Sequence, residues 1–137
     1  MNFNDQTPVL LFRIAAQEYA FLIDDVVEVA AMVDLVSTLS THPASLGAAN
    51  RHGAVLPMVD LRVLLGHTPQ PPDAESLFIV VQHDDRMFGL VVDEVKQVIY
   101  LPSVQINATA QNAIRGIITY ENRLIQVLAL HPLVSSL

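Results

Sequence analysis

The side chains of this sequence that could do chemistry are carboxylates, histidines, serines and threonines, because the chain contains no cysteine. The five histidines stand at positions 42, 52, 67, 83 and 131. No two of them have the spacing of a pair on one helix face, and none lies in a local cluster of carboxylates. A nucleophile motif of the Gly-x-Ser-x-Gly type and a glycine-rich phosphate loop are also absent. The sequence therefore predicts no metal, no cofactor and no catalytic residue.

Acidic residues occur in adjacent pairs at 24–25, 84–85 and 93–94, each at a predicted turn or helix start. Carboxylates at such positions accept hydrogen bonds from backbone N–H groups, which explains them better than acid–base catalysis does. Asp25 precedes Glu28 by three residues, the spacing of a capping box, which predicts a short helix after Asp25. Asp60 stands between a strand and an apolar segment that ends before Gly66, so Asp60 is predicted to cap a second helix.

The segment GAANRHG at residues 47–53 has an unusual mix of residues between two apolar regions. It is typical of a hairpin bracketed by glycines. It is equally typical of a binding rim, whose glycines let another chain approach the backbone closely. The sequence leaves both interpretations open.

The chain repeats itself with an offset of 69 positions, the separation of Asp24 and Asp93. YAFLIDDVVEV at residues 19–29 matches FGLVVDEVKQV at 88–98, and the same offset places Gly47 on Gly116. Acidic, glycine and apolar positions agree without a gap. The repeat predicts two similar structural units in tandem.

Each unit is predicted to contain two strand pairs and a brief helical piece. The first pair turns near residues 16–18 in one unit and 83–86 in the other, and the second pair turns near 51–53 and 121–122. Many short strands without long crossover helices favour small barrels over a parallel sheet.

Residues 67–76 carry three prolines and no apolar periodicity, which is typical of a linker. We therefore predict a mostly β protein of two packed small barrels, residues 1–72 and 73–137, with short helices. Units of about 70 residues bury too little surface to be stable alone, so the two should share a hydrophobic seam.

The net charge of −7, from 14 acidic and 7 basic residues, argues against nucleic acid as a partner because no basic cluster exists. Neither a signal peptide nor an apolar run of about 20 residues appears. The sequence predicts a cytoplasmic protein without membrane insertion.

The chain resembles the CheW family of chemotaxis coupling proteins from about Val9 to Val134. The strongest match is GAANRHGAVLPMVDLR at residues 47–62, which is similar to the family's Gly-Val-x-Asn-Leu-Arg-Gly-x-Val-x-Pro-Val-x-Asp-Leu-Arg stretch. Val26–Val29, Phe88–Val95 and Gly116–Ile118 support it. The resemblance implies a single CheW-like domain over residues 1–137, built from two SH3-like five-stranded barrels.

The resemblance also implies a non-catalytic scaffold that contacts chemoreceptor tips and the regulatory domain of a CheA-type histidine kinase. Its implied receptor-side residues are Val26, Glu28, Gly47, Asn50, Arg51, His52 and Gly53. Gly89 and Asp93 are the candidates on the seam and kinase side. The protein would be recruited to membrane receptor arrays while remaining cytoplasmic.

Two positions depart from the family pattern. His52 stands where the family has the arginine that pairs with the acid retained here as Glu28, which suggests weaker or more pH-sensitive partner binding. Arg51 is adjacent, but strand neighbours point to opposite faces, so we expect that Arg51 does not replace it without a bulge or a register shift. Ala129 stands where the family commonly has a capping aspartate, with Pro132 as partial compensation.

Three alternatives remain at this point. One is an assembly module that polymerises with its own copies, which differs from the scaffold only in the identity of its partner. A divergent CheW-like module could serve another chemosensory pathway, such as surface motility or a second messenger. A small hydrolase could use His52 with Asp60 and Arg62, provided that these groups converge on one pocket.

Overall fold

The computed structural model describes residues 5–107 and 113–137, and 56% of these described residues are in strands. The strands are β1 (Gln6–Ile14), β2 (Gln17–Leu22), β3 (Val26–Ala31), β4 (Ser45–Arg51), β5 (Ala54–Asp60), β6 (Leu77–His83), β7 (Arg86–Val92), β8 (Glu94–Pro102), β9 (Ile114–Tyr120) and β10 (Arg123–Leu128). The helices are α1 (Leu61–Leu64) and α2 (Leu130–Val134), with 3-10 turns at Ile23–Asp25 and Ser103–Gln105. No helix among the described residues has the length and apolar character needed to cross a membrane.

The internal repeat is confirmed by the order and position of the elements. The first residues of β4, β5 and α1 lie 69 positions before those of β9, β10 and α2. Strands β1, β2 and β3 likewise correspond to β6, β7 and β8. The apolar pattern of each half thus gives the same series of five strands followed by a short helix.

The strands form two five-stranded sheets, ordered β8-β1-β2-β10-β9 and β3-β6-β7-β5-β4. Each sheet takes one hairpin from one half of the sequence and three strands from the other half. Strands from different halves pair at two places in each sheet: β8 with β1 and, in parallel, β2 with β10 in one sheet, and β3 with β6 and, in parallel, β7 with β5 in the other. Each sheet is a small SH3-like five-stranded barrel, as predicted.

The predicted division into residues 1–72 and 73–137 is therefore wrong for the folded units. One unit contains residues 1–25 and 95–137, and the other contains residues 26–94. Sequence periodicity locates the repeat along the chain, but it does not reveal that the two halves exchange hairpins. The predicted hydrophobic seam stays a prediction.

Each unit has its own apolar core, filled by alternate residues of its strands. In the unit of residues 1–25 and 95–137 the core is Val9, Leu11, Ala20, Ile99, Leu101, Ile118, Ile125 and Val127. In the unit of residues 26–94 it is Ala49, Leu56, Met58, Phe78, Val80 and Val91. Each repeat supplies residues to both cores, because its hairpin and its other strands belong to different sheets.

The predicted turns fall at or close to their expected places. His52 and Gly53 connect β4 to β5, while Glu121 and Asn122 connect β9 to β10, and all four have positive φ. This is the geometry of the tight turns that match the twist of a hairpin. The β6–β7 turn lies within residues 83–86, as predicted, whereas the first turn lies at residues 15–16, slightly before the predicted 16–18.

One of the two predicted helix caps is present in the structure. Asp60 accepts a hydrogen bond from the backbone N–H of Arg62 at 3.0 Å and caps α1, which confirms the prediction. The Asp25 prediction is wrong, because Asp25 ends a 3-10 turn and Glu28 lies in β3. Alternating burial along Val26–Ala31 favours a strand over the capping box there. Ala129 precedes α2 without a side-chain cap, as the sequence indicates.

Gly47 and Gly116 occupy equivalent places at which two backbones meet. A Cβ atom at Gly47 would overlap the carbonyl oxygen of Val36, and one at Gly116 would overlap that of Gln105. Val36 and Gln105 are themselves separated by the repeat offset. Gly47 also has a φ of +106°, which disfavours any side chain. The chain that approaches Gly47 is therefore its own β3–β4 connection, not a partner.

We predict that Gly47→Ala lowers the free energy of unfolding by about 2–4 kcal/mol, from overlap with rigid backbone together with φ strain. Gly53→Asn is the matched control, since φ is also positive there but nothing lies within 4 Å of a new Cβ. The control should cost no more than about 1 kcal/mol. Urea denaturation of both variants checks this, and equal losses would contradict the steric explanation.

The side chain of Asp60 caps α1 and is also buried, so its cap and its charge have opposite effects on stability. Burial raises the pKa of Asp60 above its ordinary value, against the hydrogen bonds from the backbone of Arg62 and Gln70, which lower it. A raised pKa means that the ionised form disfavours folding, so the contribution of this charge worsens as the pH rises through the shifted value. At neutral pH we expect Asp60→Ala to cost about 1–2 kcal/mol and Asp60→Asn much less, because Asn keeps the acceptor without the buried charge. Urea denaturation at pH 7 tests this, and an Asn variant as unstable as the Ala variant would refute it.

Candidate partner-binding site

The turn between β4 and β5 forms the tip of the predicted receptor-side segment. His52 and Gly53 are both exposed at this tip. Asn50 is also exposed, and its Oδ1 accepts a hydrogen bond from the Gly53 N–H at 2.9 Å. That bond fixes the turn from within, so the tip is a defined shape.

Glu28 and Arg51 form an ion pair beside this tip. The Nε of Arg51 donates to Oε1 of Glu28 at 2.8 Å, and the two side chains are partly exposed. Glu28 lies in β3 and Arg51 ends β4, the two edge strands of their sheet. The contact therefore joins the edges of the sheet, which requires the sheet to curl into a barrel. The Nη1 of Arg51 also contacts the sulfur of Met87 on the middle strand at 3.9 Å.

The expectation that Arg51 does not replace the family arginine is wrong. It assumed that residues 51 and 52 continue one strand, whose side chains alternate between faces. His52 instead has a left-handed φ of 53° and belongs to the turn, so that alternation ends at Arg51. Arg51 then points toward β3 and takes the acid, while His52 extends into solvent.

Arg51 controls the protonation of Glu28. The hydrogen bond from Arg51 holds the pKa of Glu28 below its usual range against the opposing effect of burial, and the charges of Arg51 and His52 lower this pKa further. Because this pKa is depressed in the folded protein, the benefit of the pair is present above the ordinary glutamate value of about 4.3 and is lost as the pH falls through the lowered value.

Val26 and the predicted glycines have different positions. Val26 begins β3 and is half-buried, while Gly53 is exposed in the turn. Gly89 is buried in β7, where a Cβ would overlap the sulfur of Met58, so packing explains the glycine and its role as a partner contact stays a prediction. Gly47 is also buried and receives its own chain. Both residues are glycines because neighbouring parts of the protein leave no room for a side chain.

Asp93 belongs to an internal ion pair. The Nε of Arg62 donates to Oδ1 of Asp93 at 2.8 Å, and the Nη2 of Arg62 donates to Oδ2. Arg62 also donates from Nη1 to the carbonyl oxygen of Thr68 at 3.3 Å. This fork ties the end of β7 to α1 and the following linker. The role of Asp93 in contacting a kinase stays a prediction, since its side chain is largely covered.

The hydrolase alternative is not supported by the geometry. His52 precedes β5 and Asp60 ends it. A strand from residue 54 to residue 60 spans about 20 Å at roughly 3.3 Å per residue, so the two side chains lie at opposite ends. Within residues 5–107 and 113–137, no group of three or more histidine or acidic residues could hold a metal ion.

A set of exposed apolar side chains on the hairpins was not predicted from the sequence. Val55 is 80% exposed on β5, and its repeat equivalent Leu124 is 66% exposed on β10. Ile117 on β9 shares the face of Leu124, because Ile117 pairs with Gln126, two residues further along β10. The apolar residues within AVLPMVD at residues 54–60 indicate a strand with apolar side chains on both faces. That pattern does not reveal which of the two faces packs into the barrel core and which is exposed.

Comparison with known proteins agrees with this architecture. The model of the CheW-like domain family matches residues 8–137. A probable chemotaxis protein CheW of Rhizobium etli is 31% identical over 134 residues, covering 93% of this chain and 86% of that protein. The chemotaxis protein CheW of Rhizobium meliloti is 30% identical over 129 residues, covering 89% and 83%. The crystal structure of the scaffolding protein TtCheW from Thermoanaerobacter tengcongensis superposes with a TM-score of 0.83 at 25% identity, covering 94% of this chain and 92% of that one.

The two five-stranded barrels and the family match over residues 8–137 define a chemotaxis scaffold module. The chain belongs to the CheW-like domain family.

The ion pair gives a test that separates Arg51 from His52. We predict that Arg51→Gln raises the pKa of Glu28 toward its ordinary value, because Gln removes the positive charge and the principal donor. His52→Asn should shift this pKa much less, and Asn tolerates the left-handed turn conformation. NMR titration of the Glu28 side-chain carboxyl measures both values. A larger change in the His52 variant would mean that His52 is the true partner.

Proposed function

We propose that this protein is a non-catalytic scaffold that couples chemoreceptors to a CheA-type histidine kinase. It works in the cytoplasm and is recruited to receptor arrays at the membrane. Membership of the family over nearly the whole chain supports the chemotaxis role. The observation that carries the receptor contact is the Glu28–Arg51 ion pair beside an exposed, internally fixed turn.

The receptor-side rim, in this proposal, consists of Glu28, Asn50, Arg51, His52 and Gly53. Arg51 uses Nε for Glu28 and has further N–H groups on its partly exposed guanidinium. These groups suit a carboxylate or a carbonyl oxygen at a helical receptor tip. Glu28 fixes the direction of the guanidinium before the receptor arrives, which lowers the entropy lost on binding.

The kinase contact, in this proposal, uses the exposed face of the β9–β10 hairpin. Leu124 and Ile117 are diagonal neighbours there, and both are more than half exposed. Apolar side chains at the centre of an interface contribute binding energy through desolvation. The face is chemically unlike the charged rim, which fits a scaffold that holds two partners at once.

His52 supports a second candidate, a divergent adaptor for another chemosensory pathway. The exposed imidazole replaces the family guanidinium at the turn, so the rim offers a different set of donors. A pathway with its own receptors would explain such a change. Identifying the receptors that bind this protein in a pull-down distinguishes this candidate from the chemotaxis scaffold.

The experiment is a pull-down from the cytoplasm and detergent-solubilised membranes of the native host, scored for methyl-accepting receptors and a histidine kinase. Arg51→Glu should reduce receptor recovery by about tenfold or more while kinase recovery persists, because it places like charges at the rim. Leu124→Glu should instead reduce kinase recovery while receptor recovery persists. Asp84→Asn, in the β6–β7 turn, is the control and should recover both.

Failure of the parent protein to recover either partner would overturn the proposal. Loss of both partners in both variants, with circular dichroism unchanged, would show that the two contacts are wrongly placed.

A further inference from the structure

A groove of about 330 Å³ lies at the end of β3, where the β3–β4 connection meets the segment before β6. Met32, Leu35 and Pro72 are half-buried along it and make it apolar. Asp34 and Asp73 also line it and are exposed. The groove shares no residue with the receptor-side rim or with the β9–β10 face.

The walls of the groove are fixed by the protein's own hydrogen bonds. The Met32 N–H donates to the Ser76 carbonyl at 2.9 Å, which joins the two segments. Oδ1 of Asp73 accepts from the Glu75 N–H at 2.9 Å, and the Asp73 N–H donates to Oγ of Ser76 at 2.9 Å. A groove formed before binding costs a ligand little ordering entropy.

The charge of the groove is negative. Two carboxylates line it, and none of the seven basic residues does. Asp34 makes no hydrogen bond or ion pair with any other residue that the structure describes. An apolar floor between two carboxylates complements a segment that carries a positive charge beside an apolar side chain.

A second copy of this chain is a poor occupant. The protein has a net charge of −7, so two copies repel each other. Every basic residue also contacts its own chain. Arg51, Arg62, Lys96 and Arg123 pair with acids, Arg13 and Arg115 donate to carbonyl oxygens, and Arg86 lies over Phe88. These contacts and the like net charge favour a cation from a different molecule.

We propose that this groove binds a cationic, partly apolar segment of a partner protein. An apolar side chain of that segment packs on Met32 and Leu35, and a Lys or Arg lies between Asp34 and Asp73. This would be a third contact surface, and it does not depend on the receptor and kinase contacts proposed above.

The test is an NMR titration of the full chain with the acetylated and amidated pentapeptide Gly-Lys-Leu-Arg-Gly. We expect the backbone amide signals of Met32, Val33, Leu35 and Ala74 to shift. The double variant Asp34→Asn, Asp73→Asn should weaken binding by about fivefold or more, because it removes both charges while an amide oxygen remains for the turn at Asp73. Raising the salt from about 0.05 M to 0.3 M should weaken binding to the parent but not to the double variant.

The matched control is Asp84→Asn, Asp85→Asn, which removes the same charge from the β6–β7 turn and should leave the affinity unchanged. The pentapeptide Gly-Glu-Leu-Glu-Gly should not shift the groove signals. The proposal is overturned by an absence of shifts at millimolar peptide, by shifts centred elsewhere, by an equal loss in the control variant, or by equal binding of the acidic peptide.

Discussion

The parallel pairings of β2 with β10 and of β7 with β5 are the contacts on which both sheets depend. Each joins a hairpin from one half of the sequence to a hairpin from the other, while the fifth strand, β8 or β3, pairs with the outer strand of the first hairpin. The pairing of β5 with β7 places Met58 opposite Gly89, and it leaves no space for a side chain at residue 89. Exchange of hairpins between the repeats makes each unit depend on residues from both halves, so neither half contains the strands of a complete barrel.

Side-chain charges then tie the strands of each barrel, but at positions that are not equivalent in the repeat. In one unit, Glu28 and Arg51 join the edge strands β3 and β4. In the other, Oε1 of Glu18 on β2 accepts from Lys96 on β8 and from Arg123 on β10. The backbone topology is shared by the repeats, whereas the charged surfaces have diverged. Such divergence gives the two units chemically different surfaces.

The glycines and acids of the sequence motif divide into structural and exposed roles. Gly47, Gly89 and Asp60 serve the packing and capping of the barrel, although the first two were predicted to contact partners. Asn50 and His52 are exposed at the turn and remain available. The residues predicted to form one binding segment are therefore of two kinds. Some are buried and stabilise the barrel, and only a few lie at the surface.

The sequence by itself determined the repeat, the strand-rich barrels, the tight turns at His52 and Asn122, and the cap at Asp60, because these follow from local periodicity, turn chemistry and backbone hydrogen bonding. Tertiary structure alone decided which strands share a sheet, since parallel pairing between distant segments leaves no local signal in residue order. It also decided that Arg51 meets Glu28. That contact depends on two features. The β4 strand ends just before His52, which has a left-handed φ. The sheet also curls, so that its two edge strands, separated by three others, bring Nε of Arg51 to 2.8 Å from Oε1 of Glu28.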